Sequence, residues 1–482
     1  MVLLYFVLPK KIRWIWLLVS SYFFYMCWNA KYALLLAFST LITWLSGLLI
    51  CKADKIIDEK KAVRCKKWAV AGSFILNLGI LFFFKYFSFA LGNINALLSL
   101  FGKGAIEPAF DVLLPVGISF YIFQALSYTA DIYRKKVEPE RNFFRYALYV
   151  SFFPQLVAGP IERSSNLLPQ MRQVHTWDSK RVKKGLLIMA FGFFEKMVIA
   201  DRAAIFVNSV FSGRLDLRPG IMELLAIFVF GIQIYCDFAG YSNIAIGAAK
   251  VLGFDLMENF DRPYFAGSVR EFWRRWHISL STWFKDYLYI PLGGSRKGKF
   301  RKYLNTMITF ILSGLWHGAN WTFVIWGALH GLYQVIGDIL KPVKNFIVKI
   351  TKVNPDSFGM KFIKGAFVYL LVNFTWLFFR AQSLKEVKMI LSSIFTNFQP
   401  WTLFNKAIND YISPAELTVL CIAVAVLIVI SILKGKMDIT DRIEKQPLIF
   451  RWAFYICIIL VIFIFGVYGP EFNAGEFIYF QF

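Results

Sequence analysis

Charge is scarce in this chain. Only 17% of its 482 residues are Asp, Glu, Lys or Arg, against about 25% in a typical soluble domain. Acidic residues are the scarcer sign, 30 against 54 basic ones, for a formal net charge of +24. Cysteine is thin and scattered: Cys27, Cys51, Cys65, Cys236, Cys421 and Cys457 form no CxxC pair, which speaks against a disulfide framework and against a cysteine zinc site. There is no internal repeat, no low-complexity tract and no linker that would set a soluble domain apart. What fills the space is apolar: 58% of residues are hydrophobic, 18% are aromatic, and mean hydropathy is +0.55. Those values exclude a disordered chain, a coiled coil and an ordinary soluble enzyme, which would leave too much apolar surface wet. The bilayer is the solvent that fits.

Apolar stretches long enough to be spans fall near 12–28, 32–50, 69–91, 112–133, 185–207, 221–243, 303–316, 320–340, 362–380, 413–433 and 449–469. The reading is an all-α integral membrane protein of about eleven transmembrane helices, a single domain over residues 1–482, with no metal and no bound cofactor. The first two spans are joined tightly at Trp28–Lys31 and form a hairpin. The following loop carries Lys52, Lys55, Lys60, Lys61, Arg64, Lys66 and Lys67, which assigns it to the cytoplasm by the positive-inside bias. Parity from that anchor puts the basic runs Arg134-Lys135-Lys136 and Arg296-Lys297 inside too, provided that 143–160 enters and leaves on one side. Pro154, Gly159 and Pro160 break helix there, so a re-entrant segment packed within protein is expected. The N-terminus is then inside and the C-terminus outside. The opening MVLLYFVLPKKIR has only a short apolar run and no small-residue cleavage site, and reads as a retained N-terminus. The positive charge lies beside apolar segments, where topology and anionic lipid headgroups account for it, so nucleic acid is not an expected partner.

With four histidines in all, each can be weighed. His175, in VHTWDSKR, reads as a solvated loop side chain. His317 follows Arg301-Lys302 by about 15 residues, roughly 22 Å of helix, short of the roughly 30 Å hydrocarbon core. An imidazole is thus placed at membrane depth beside Gly318, where ionisable groups are costly and usually functional. The bland alternative is a histidine bonded to a neighbouring helix carbonyl. His330, thirteen residues on, makes no i,i+4 metal pair with it and reads as a packing residue. His277 sits among Trp273, Trp276, Leu280, Trp283, Phe284 and Tyr287 at helical spacing, with Arg270, Arg274, Arg275, Lys285 and Asp286 as polar companions. The plain account is an interfacial amphipathic helix over 270–290. The sharper one adds a histidine at a cytoplasmic mouth, beside arginines able to grip phosphate. Asp237, in QIYCDFAGYSNIAIG, is a carboxylate in an apolar segment, and is either structural or a substrate contact. Glu195 and Lys196 carry little functional weight.

Ordered strings then give a resemblance. LPVGISFYIFQALSYTADIYR, YVSFFPQLVAGPIERSSNLLPQ, YCDFAGYSNIAIGAAKVLGFDLMENFDRPY, EFWRRWHISLSTWFKDYLYIPLGGSR, SGLWHGANWTFVIWGALHG and the FIYFQF tail resemble the bacterial membrane-bound O-acyltransferases (MBOAT) of the alginate O-acetylase membrane-subunit type. The resemblance implies a ring of helices around a thin centre with a tunnel open to both sides. It implies that His317 is the catalytic histidine and His277 the second functional one. It implies an acetyl group taken from cytosolic acetyl-CoA and passed outward, where an extracytoplasmic SGNH-type acetyltransferase places it on a cell-surface polysaccharide. One departure is that relatives carry a longer apolar segment before LPKKIRW.

Acyl transfer from a thioester needs a base or nucleophile of near-neutral pKa, and imidazole suits. Asn320, or a backbone N–H at the Gly318 break, is the expected donor to a developing oxyanion. Whether His317 activates an acceptor hydroxyl or takes the acyl group itself stays open. Two other readings remain: D-alanylation of teichoic acid within the same superfamily, and a transporter or flippase, against which stand the missing repeat and the few ionisable residues in the spans.

Overall fold

The computed structural model describes residues 1–107, 114–212, 218–404 and 407–468; the FIYFQF tail lies outside them. Helices account for the architecture, with no strand among the described residues. The chain divides into two compact units: residues 1–186 with 245–257, and residues 187–244 with 258–482.

In the first unit α1 (Val2–Val7) leads into α2 (Arg13–Ala53), α3 (Glu59–Leu81), a π-helical turn and α4 (Phe87–Leu100). α2 is two helices meeting at Asn29, whose backbone leaves helical values at φ −159°, ψ 112°. That break falls within the expected Trp28–Lys31 connection, and Asn29 Oδ1 accepts the Lys31 N–H there at 3.0 Å. α5 (Ile118–Tyr133) is buried along almost its whole length. Its neighbours are tied by polar side chains that would be costly alone in an apolar interior. Tyr25 Oη donates to the Val116 carbonyl at 3.0 Å, and Tyr146 Oη to Thr43 Oγ1 at 2.8 Å. The expected re-entrant stretch appears as α6 (Phe143–Ser151) and the short α7 (Phe153–Leu156), both buried in this unit. α8 (Ser164–Arg172) follows.

α9 (Ser179–Phe193) and a π-helical stretch (Phe194–Ala200) lead into α10 (Asp201–Ser212) and the long α11 (Gly220–Leu252). From residue 258 onward the second unit comprises α12 (Val269–Arg275), α13 (Ile278–Phe284), α14 (Gly298–His317), α15 (Trp321–Ile339), α16 (Lys341–Thr351), α17 (Phe358–Arg380), α18 (Leu384–Thr396), α19 (Pro414–Lys434), α20 (Ile439–Glu444) and α21 (Leu448–Phe465).

Six helices among the described residues are long and apolar enough to cross a membrane, or seven if α15 and α16, bent by 50°, make one broken span. That is fewer than the eleven stretches expected. α2, at 41 residues, would be about 60 Å long if straight, twice a hydrocarbon core, and counts once although Asn29 divides it. The 112–133 stretch yields only the 16 residues of α5, and 185–207 is interrupted by Glu195, Lys196, Asp201 and Arg202. No part of the most apolar window of α21 is buried. Its apolar outer face needs lipid around it.

Candidate active site

α14 and α15 form the tightest pair in the second unit, and glycine sets the approach. A Cβ on Gly314 would overlap the Phe323 carbonyl, and one on Gly327 would overlap the Phe310 carbonyl. Such small residues let helix backbones touch in a membrane protein. The hairpin turns at Gly318, where the backbone becomes extended, and His317 is the last helical residue before the turn. His317 is buried, and its ring is caged: Trp316 and Trp326 each lie 5.0 Å away between ring centroids, and Phe379 lies 5.5 Å away.

His277 is the other wall. Its ring centroid is 6.2 Å from that of His317, and the residue is fully buried. The amphipathic helix expected over 270–290 is broken here into α12 and α13. Trp276 turns extended and His277 takes left-handed values, φ 44°, ψ 54°. The physical reason is backbone pairing with a distant segment: Asp261 N–H donates to the Arg275 carbonyl and Ile278 N–H to the Asn259 carbonyl, both at 2.9 Å. His277 lies outside the spanning helices, and burial pushes its pKa down to about 3, so the ring is uncharged at neutral pH.

A cavity of about 500 Å³ is lined by neither imidazole, but its wall includes Ile278, which follows His277 in the chain, and Ser313, one helical turn before His317. Aromatic side chains such as Trp273 and Phe310 and aliphatic ones such as Leu280 contribute part of its wall, and Arg270, Arg274, Lys285 and Lys302 contribute charge. Asp338 engages two of these cations, Arg270 at 2.6 Å and Lys302. Arg274 is exposed and has no carboxylate partner among the described residues.

The other expected site residues go elsewhere. Arg275 does not line the cavity; its Nη2 lies 2.6 Å from Glu271 Oε1. Asp237 is paired with Lys196 at 2.6 Å, and the same ammonium reaches Asp201 at 2.6 Å. Lys196, passed over in the sequence, is thus the centre of a buried ionic tie. Asn320 caps α15 by accepting the Thr322 N–H at 3.1 Å, and its Nδ2 donates to the Gln382 carbonyl at 2.8 Å. The Gly318 N–H also has an acceptor, the Gly314 carbonyl at 3.3 Å. The Gly318 N–H is therefore engaged, as is one of the two hydrogens of the Asn320 amide. The Trp326 indole N–H, by contrast, is buried beside His317 with no hydrogen-bond partner among the described residues. Sequence reading missed it because a Trp on an apolar helix looks like packing.

The remaining histidines hold the surroundings. His330 accepts the Trp273 indole N–H at Nδ1, 3.1 Å away, and sits 2.9 Å from Thr375 Oγ1 at Nε2, joining α12, α15 and α17. His175 is not simply solvated, as expected, but half-buried: its Nε2 is 2.8 Å from the Gln170 carbonyl and its ring is 4.4 Å from that of Phe254.

The sequence model of the membrane-bound O-acyltransferase family matches residues 136–379, a range that holds both walls of the site. A probable alginate O-acetylase of Pseudomonas putida is 39% identical over 88% of this chain and 82% of its own length. A peptidoglycan O-acetyltransferase of Helicobacter pylori is 34% identical over 79% and 73%. A teichoic acid D-alanyltransferase of Streptococcus thermophilus is 28% identical over 51% and 63%.

Proposed function

The chain belongs to the membrane-bound O-acyltransferase family, and from that premise we propose that it takes an acetyl group from cytosolic acetyl-CoA and passes it across the membrane for O-acetylation of an extracytoplasmic polysaccharide. It is a multi-pass membrane enzyme of the O-acyltransferase class, in bacteria an inner-membrane protein. Relatives named for acetylation of alginate and of peptidoglycan align over most of this chain, whereas the D-alanyltransferase similarity covers about half of it. The acetyl reading is therefore favoured over the aminoacyl one.

The observation that carries the donor assignment is a cation-lined cavity whose wall includes chain neighbours of the two buried imidazoles. Coenzyme A carries phosphates at one end and a thioester on a long arm at the other. Arg274, Arg270, Lys285 and Lys302 suit the phosphates, and the partly apolar wall suits the arm. In the proposed step a ring nitrogen of His317 takes the proton of the acceptor hydroxyl as its oxygen attacks the thioester carbonyl. The C–S bond then breaks, and the leaving thiolate takes that proton back from the imidazolium. The Trp326 N–H supplies the hydrogen bond to the oxyanion that forms between these events. The hydroxyl belongs to the polysaccharide or to an SGNH-type partner that delivers the acetyl group to it.

The test is transfer of labelled acetyl from acetyl-CoA supplied on one face of proteoliposomes to an acceptor on the other. Transfer in wild type and its loss in His317→Ala, at equal membrane content, is expected. Equal transfer in both variants would remove His317 from the mechanism. An acetyl group trapped covalently on His317 would make it the carrier instead of the base. Use of a D-alanyl carrier protein in place of acetyl-CoA would overturn the donor assignment.

A further inference from the structure

Asn259 belongs to a polar stretch between α11 and α12 and is buried at 1% exposure. Its side chain is engaged on every side. Oδ1 accepts the Ser279 backbone N–H at 3.2 Å and the Ser279 hydroxyl at 2.9 Å, and lies 3.2 Å from His277 Nδ1. Nδ2 donates to Ser242 Oγ at 3.1 Å. A backbone N–H can only donate, so the atom facing Ser279 must be the carbonyl oxygen, and the amide cannot be turned over. The nitrogen of His277 facing that oxygen must then carry the proton. Ser279 Oγ, 3.5 Å from the same nitrogen, spends its own hydrogen on Asn259 and is an acceptor there too. The ring is thereby fixed as the Nδ1–H tautomer, with its lone pair on Nε2.

Two further features hold the ring in place. Phe238 meets it edge to face at 4.6 Å, and Phe260, the residue after Asn259, lies roughly parallel to it at 6.4 Å. The left-handed backbone of His277 is strained for a residue that carries a Cβ and persists because the Ile278 and Ser279 amides are both anchored on Asn259.

We propose that Asn259 is the positioning residue of His277, locking its imidazole as the Nδ1–H tautomer so that Nε2 is the nitrogen able to accept a hydrogen bond from substrate. An amide does this without the charge of a carboxylate, so the lock does not draw a second proton onto the ring. The consequence for catalysis rests on the reading of His277 as a site residue; the lock itself does not.

The experiment uses full-length protein in detergent micelles with ¹⁵N-labelled histidine. Four histidines give a spectrum simple enough to assign, with His277→Ala identifying the resonance of interest. Wild type should show His277 protonated at Nδ1. Asn259→Leu, similar in size but without an acceptor, should lose that single form and lower kcat by about tenfold or more, with KM for acetyl-CoA changed less than twofold. Asn259→Asp keeps an acceptor, so Nδ1 should stay protonated and more activity should remain than in the leucine variant. An unchanged His277 signal in Asn259→Leu overturns the proposal. Should that variant fail to fold, an Nδ1 without its proton in wild type or in Asn259→Asp overturns it equally. If His277→Ala turns over normally while the tautomer still responds to Asn259, the lock stands and the catalytic reading of His277 falls.

Discussion

Arg274 reaches the cavity wall, whereas its neighbour Arg275 turns to Glu271. A charge-assisted hydrogen bond contributes about 1.5–3 kcal/mol, and about 1.4 kcal/mol is tenfold in affinity. On the proposed donor role of the cavity, Arg274→Ala should raise the acetyl-CoA concentration needed for half-maximal transfer by about tenfold, at unchanged membrane content. Arg275→Ala should leave it near wild type. Trp326→Phe, which keeps the ring and removes the N–H, should lower kcat by about a hundredfold or more if that donor meets the oxyanion, measured with saturating acetyl-CoA. His277 gives a prediction in pH. Its folded pKa of about 3 lies below the ordinary 6.5. The unfolded chain thus takes up a proton below pH 6.5 that the folded protein refuses until far lower. Its contribution to stability is complete above pH 6.5 and is lost as pH falls toward 3. Thermal unfolding in micelles at pH 7.5 and pH 5 should show a drop that is smaller in a folded His277→Gln variant.

The α14–α15 hairpin depends on close backbone contact at Gly314 and Gly327. Gly327→Leu should push the two helices apart, at a cost of about 1–3 kcal/mol, and displace Trp326 from His317. Melting temperature and transfer activity should fall together, while Gly337→Leu, with open space at its Cα, should change neither. This element was legible in advance, because a histidine, a glycine break and a second apolar run follow one another in the sequence. The break between α12 and α13 was not. Helical spacing of Trp273, Trp276, Leu280 and Trp283 points to one continuous helix, and the interruption arises from Asn259 and Asp261, more than a dozen residues upstream. Asp237 shows the same limit: a carboxylate in an apolar run announces a need for a partner, yet only folding shows that the partner is Lys196. A cavity wall drawn from α12, α13 and α14 has no signature in any one of them.

At the scale of the whole molecule, apolar faces such as that of α21 commit the protein to lipid, and its formal charge of +24 gives its polar surfaces a net attraction for anions. Within that field the cavity has its own local balance. Asp338 offsets part of the charge of Arg270 and Lys302 and leaves Arg274 and Lys285 as the excess. Mobile ions compete for such an excess: the Debye length shrinks from about 10 Å at 0.1 M ionic strength to about 3 Å at 1 M. Donor capture should consequently weaken as potassium chloride is raised, with kcat nearly constant because the buried histidine pair is shielded from the electrolyte. Neutralising Asp338 by Asp338→Asn should steepen that salt dependence and Arg274→Ala should flatten it. If the cavity receives the donor as proposed, Asp338 acts as a rheostat, setting how strongly the ionic composition of the surrounding medium governs the supply of acyl groups to the enzyme.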